Sequence, residues 1–164
     1  MQVVFDAQLL VAATAFAGAS WLDWPDVPPY THHPEQDCLG IVAWAPRYHD
    51  VSLVVSHGLL TQVQATLADE IGLVQRDIDS YLTAVLSLVR ASGGSVDSDL
   101  SASATGHPPH VSIPLELARD GHRLVVAQHS ALQRLGPFWG AARVPILSAR
   151  EFAVRTDAAR RSPP

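Results

Sequence analysis

The apolar positions of this 164-residue chain fall into two rhythms. Short unbroken runs of β-branched and aromatic residues occur at 2–5, 52–56, 123–127 and 144–147. Runs of that length, bounded by polar residues, predict strands buried on both faces. Elsewhere the apolar residues recur at 3–4 spacing, which is the signature of an amphipathic helix. Leu59, Leu60, Val63 and Leu67 mark a helix over 57–68. Val74, Ile78, Leu82, Val85, Leu86 and Val89 mark the longest one, over 73–91. The Ala-rich stretch 7–18 predicts a helix that follows the first strand at once and stops at Gly18. Leu39, Val42 and Ala43 share one face of a helix over 37–46, and shorter helices are expected over 113–119 and 130–135. Ser148, with Glu151 three residues on, forms a capping box that opens a last helix through Ala159.

Strands that alternate with helices imply a parallel sheet covered on both sides. The expected fold is a three-layer α/β/α domain with a central parallel sheet, spanning 1–159. Two segments interrupt the rhythm. Segment 19–36 holds Trp21, Trp24, Tyr30 and four prolines, and reads as an arm that stacks nucleotides, grips a partner or covers its own sheet. Segment 92–106, rich in Gly, Ser, Asp and Ala, reads as a flexible loop with a short strand near Val96. Pro137-Phe138-Trp139 reads as a turn with buried aromatics, and 160–164 as a frayed tail.

Composition narrows the function classes. Hydrophobic residues make up 48% and charged residues 16%, which supports a packed core and excludes a disordered chain. The formal charge of -5 argues against a general nucleic-acid coat, because phosphate contacts need clustered cations. A local basic groove stays open: all 11 basic residues are Arg, and Arg150, Arg155, Arg160 and Arg161 offer either an RNA-facing stripe or a solvated helix face. The lone Cys38 gives neither a disulfide framework nor a zinc knuckle, so a reducing, cytoplasmic setting is expected. No apolar run reaches the ~20 residues of a membrane span. Asp6 interrupts the first apolar run and no basic segment precedes it, so no signal peptide is expected.

Several stretches together resemble the PIN-domain nucleases of the bacterial toxin type. VVFDAQLLVAA at 3–13 is similar to the opening strand, acid and helix of that family, and SLVVSHGLLTQVQATL at 52–67 to its second strand and helix. LELARDGHRLVVAQHSAL at 115–132 resembles the helix and strand before an acidic turn, and VPILSAREFAVR at 144–155 the closing strand and helix. The resemblance implies a metal-dependent endoribonuclease, the toxin of a toxin–antitoxin pair, with a cognate antitoxin, RNA and a second copy of itself as partners. A PIN nuclease gathers three or four carboxylates around Mg²⁺ or Mn²⁺, and the ions activate a water and stabilise charge on the phosphate.

Carried across position by position, the resemblance leaves one acid. The first falls on Asp6, the second on Gln62, the third on Val111 and the fourth on His129. An amide brings no charge and a valine cannot ligate. Asp69 and Glu70 are expected to point elsewhere or to sit at the helix end, Glu116 and Asp120 to fall on the wrong part of their helix, while Asp97 and Asp99 could reach in from the loop. The expectation is a PIN-like protein with a degraded acidic site that needs no cofactor and acts by binding RNA or protein. Two alternatives remain. One is an active Mg²⁺- or Mn²⁺-dependent endoribonuclease. The other is a Zn²⁺ site built from Asp6, His110 and His129, with His107 nearby. Asp6 before a helix equally fits an N-cap.

Overall fold

Val3, Val4 and Phe5 are wholly shielded from solvent, which is what an apolar run with no polar alternation should give. The structure, a computed structural model, describes residues 1–14, 33–48, 50–98, 106–119, 123–140 and 143–161. In chain order the elements are β1 (Gln2–Phe5), α1 (Ala7–Thr14), α2 (Pro34–Tyr48), β2 (Ser52–Ser56), α3 (His57–Asp69), α4 (Gln75–Ala91) and β3 (Ser95–Asp97). They continue with α5 (Pro109–Arg119), β4 (Leu124–Val126), α6 (Ser130–Gln133), β5 (Phe138–Trp139), β6 (Val144–Leu147) and α7 (Ala149–Arg161).

The six strands form one sheet in the order β3-β2-β1-β4-β6-β5, parallel throughout except for β5. Val3 pairs with Leu53 on one side and Leu124 on the other. The chain steps outward from β1 to β2 to β3, then crosses back to β4. Right-handed crossovers therefore put α1 to α4 on one face and α5 on the other. Consistent with that, α5 lies across β1, β4 and β6, while α7 returns to pack on α2. Phe152 of α7 meets Phe5 edge to face at 5.8 Å, and the Cys38 thiol donates to the Ala149 carbonyl oxygen. Among the described residues no helix is long and apolar enough to cross a membrane.

Two local choices hold the frame. Gly94 runs so close to β2 that a Cβ there would sit 1.8 Å from the Leu53 carbonyl oxygen. Only glycine permits that approach. Tyr81, fully buried on α4, donates its hydroxyl to the Leu10 carbonyl oxygen at 2.5 Å and ties α4 to α1. Burial pushes that phenol far above its ordinary value.

Several boundaries differ from the sequence reading. Pro34, expected in the arm, is the first residue of α2, and Pro109 is the first of α5. Proline suits that position, since its φ is preset and the missing N–H has no partner there anyway. The rest of the arm, with Trp21, Trp24 and Tyr30, lies outside the described residues, as do 99–105 of the expected loop. The tail begins later than expected, because α7 runs through Arg161. Residues 138–139 form the antiparallel edge strand β5 instead of a buried turn, and Phe138 is 53% exposed beneath the Arg143 guanidinium.

Candidate functional site

β1 and β4 are neighbours whose connections leave in opposite directions, so a crevice opens beyond their carboxyl ends. Open α/β sheets collect ligands at such a switch point. Here it is a pocket of about 510 Å³. Asp6 enters it from the end of β1 and His129 from the end of β4. Gln62, Thr66 and Glu70 come from one face of α3, and Pro109 and His110 from the start of α5.

Asp6 is 1% exposed. Its Oδ1 accepts the Leu9 N–H at 2.8 Å, which caps α1. Its Oδ2 accepts two backbone N–H groups, from Gln128 at 3.0 Å and His129 at 2.7 Å. Those two bonds use both lone pairs of Oδ2. One carboxylate thus clamps the end of β1, the start of α1 and the turn after β4. Burial raises its pKa, and the three N–H bonds pull the other way without cancelling that rise.

Gln62 lines the pocket, yet its Oε1 is buried without a hydrogen-bond partner. His110 and His129 lie ring to ring, with centroids 4.5 Å apart and planes tilted by 34°. Partial burial and the neighbouring His129 hold His110 below the ordinary histidine value. His129 accepts the Ala131 N–H on Nδ1 at 3.0 Å, which caps α6. A ring that accepts on Nδ1 carries its proton on Nε2 and has no second free lone pair.

These observations decide the fit of a metal. Of the four positions expected to carry acids, the structure brings Asp6, Gln62 and His129 to one pocket and does not bring Val111. Val111 is packed in the core, because adjacent helical residues point about 100° apart and His110 takes the place that faces the pocket. A divalent ion would find the Asp6 carboxylate already clamped by backbone donors, Glu70 as the one other carboxylate of the lining among the described residues, and an amide whose oxygen faces away from solvent. Hard cations dehydrate only for several oxygen ligands. Zinc fares no better, since the lone pair of His129 is engaged. Among the described residues no group of three or more His, Cys, Asp or Glu side chains is arranged to hold a metal ion. The residues present do not fit Mg²⁺, Mn²⁺ or Zn²⁺.

Of the other acids, Glu70 sits at the end of α3, one of the two placements expected for it, and from there it lines the pocket. The spacing 62, 66, 70 carried the signal, because i, i+4 and i+8 stay on one side of a helix. Glu116 is buried on α5 away from the pocket. Asp97 does not reach in: it is bound to Arg123 at 2.6 Å and to the Ser95 hydroxyl at 2.6 Å. Asp99 and Asp120 lie outside the described residues. His107 stands edge-on to Trp139 instead of joining the pair. His33 and His57 are exposed, as are Arg150 and Arg155. Comparison of the chain with protein-family models, with curated proteins and with solved structures finds no match. Function is therefore read from the fold and the pocket themselves.

Proposed function

We propose that this chain is a PIN-like protein of the toxin type whose acidic centre is degraded, and that it acts by binding at the switch-point crevice without cleaving phosphodiesters. One observation carries the reading: Asp6, the only acid kept from the expected set, has its carboxylate bound by three backbone N–H groups and closed to solvent. Its work is mechanical. The parallel sheet with an acid at the tip of β1 and a capped final helix after VPIL supports the lineage, and the substitutions Gln62, Val111 and His129 support the loss of activity. RNA, an antitoxin-type protein or a second copy of the chain is the partner in this reading, in a cytoplasmic setting.

The test is a ribonuclease assay with Mn²⁺ on the wild type and on Asp6→Asn. No metal-dependent cleavage is expected from either protein. Cleavage by the wild type that needs Mn²⁺ and is abolished in Asp6→Asn would overturn the reading and restore the active nuclease.

A further inference from the structure

A second cavity, of about 570 Å³, opens beneath α7 toward the amino ends of β1 and β4. It shares no lining residue with the crevice. Its floor is apolar. Leu124 of β4 and Pro145 and Leu147 of β6 share one face of the sheet, as their register requires, and Phe152 comes down from α7. Phe138 lies opposite Pro145 across the β5–β6 pair, so its side chain continues that face to the edge of the sheet, where it stays 53% exposed. An apolar strip therefore runs from a recess under α7 out to an exposed aromatic ring.

The charged groups beside this strip are cations without a mate. Arg155 lines the cavity from α7, and the Arg143 guanidinium lies over the Phe138 ring at 5.1 Å. Among the described residues neither guanidinium has an ion pair. Glu151, one turn before Arg155, spends its carboxylate on the Ser148 N–H and hydroxyl. Gln2 lines the cavity from β1 and accepts the Arg123 Nε–H on its Oε1 at 3.0 Å, which leaves its amide N–H groups to donate. Asp50, the one acid of this lining among the described residues, is already engaged within the chain. Donors beside an apolar floor, with the acid occupied, suit a ligand that is anionic at one end and apolar along its length. The arginine fork meets a carboxylate with two parallel hydrogen bonds.

We propose that this cavity binds a small aliphatic monocarboxylate. The carboxylate pairs with Arg155 and accepts from the Gln2 amide. The chain lies on Leu124, Pro145 and Leu147 beneath Phe152 and runs toward Phe138. The volume falls within the range of small-molecule sites. The site is separate from the crevice, so it stands whichever partner the crevice takes.

The experiment is calorimetric titration of the full chain at pH 7.5 with octanoate, and in parallel with octanol, octylammonium and butyrate. Octanoate should bind saturably at one site, and octanol about tenfold more weakly, as loss of one charge-assisted contact implies. Octylammonium, with the wrong sign beside Arg155, should bind more weakly than octanol. Butyrate, four methylenes shorter, should bind more than about tenfold more weakly than octanoate, since each buried methylene adds to affinity. Arg155→Gln should bring octanoate down to the level of octanol, while thermal unfolding shows that this exposed substitution leaves the fold intact. Arg90→Gln, in the last turn of α4 and outside the lining, should leave the affinity unchanged. Octanoate that does not bind, that binds no better than octanol or butyrate, or that keeps its affinity in Arg155→Gln overturns the inference. An equal loss in Arg90→Gln also overturns it, because the attraction would then belong to surface charge in general.

Discussion

Asp6 and Asp97 stand at the carboxyl ends of strands in the same sheet, and they have opposite surroundings. Asp6 is sealed beside the central strand and held by three backbone N–H groups. Asp97 closes the edge strand β3, is 29% exposed at its side chain, and is held by the Arg123 guanidinium and the Ser95 hydroxyl. Arg123 in turn donates to the Leu117 carbonyl oxygen and to Gln2, so that pair fastens an edge to the body of the domain. Neither carboxylate faces solvent freely enough to take an ion or a substrate. An acid at a strand tip is therefore not a site by position alone. Its partners decide whether it does chemistry or carpentry.

The comparison can be broken by mutation, starting with the buried partner. Asp6→Ala leaves three N–H groups without their acceptor and should lower unfolding free energy by about 3 kcal/mol in urea denaturation. Asp6→Asn keeps one acceptor oxygen and should lose roughly half as much. A loss under about 0.5 kcal/mol for Asp6→Ala would mean that the clamp does not bear on folding. Asp97→Ala should lose only about 1 kcal/mol, because solvent screens a partly exposed pair.

Acid titration sharpens the contrast, since the two groups have opposite signs. Burial tends to raise the Asp97 pKa, but the Ser95 hydroxyl and the Arg123 guanidinium outweigh it and hold it below 3.8. Its contribution is complete above 3.8 and is lost as pH falls through the lower folded value. The folded Asp6 pKa is raised above 3.8, so the native state binds its proton first and gains stability as pH falls through that raised value. Stability measured across the acid range should therefore fall less steeply in Asp97→Asn and more steeply in Asp6→Asn than in the wild type. The same direction in both variants would refute the assignment. The smallest effect belongs to Glu70→Gln, which relieves a like-signed helix end and should raise stability by about 0.3 kcal/mol in the absence of ligand.

Much of this architecture was legible because burial leaves a plain mark on composition. β1, β2 and β6 sit where their apolar runs predict them, and β4 is shorter by one residue at each end. The Ser148–Glu151 capping box opens α7 as expected: the Glu151 carboxylate accepts the Ser148 N–H and the Ser148 Oγ accepts the Glu151 N–H. Prolines obscured the starts of α2 and α5, where they read as breakers although they sit in the first turn. β5 was invisible, since a two-residue edge strand has no period. At the site, Asp6, Gln62, His110 and His129 line one crevice. Val111 faces the core and not the crevice, because helix phase, not sequence adjacency, sets which residue meets the pocket. The Leu9 donor was legible as an N-cap, but the Gln128 and His129 donors left no trace in the sequence, because any residue supplies an N–H and only the fold aims it.

The central claim is that Asp6 is a clamp and that no divalent ion is held beside it. The most direct measurement is the electron paramagnetic resonance signal of free Mn²⁺ titrated into the full chain. The account predicts that the signal of the hydrated ion keeps its full amplitude in the presence of either the wild type or Asp6→Asn. Loss of one equivalent of that signal with the wild type, restored with Asp6→Asn, would contradict it.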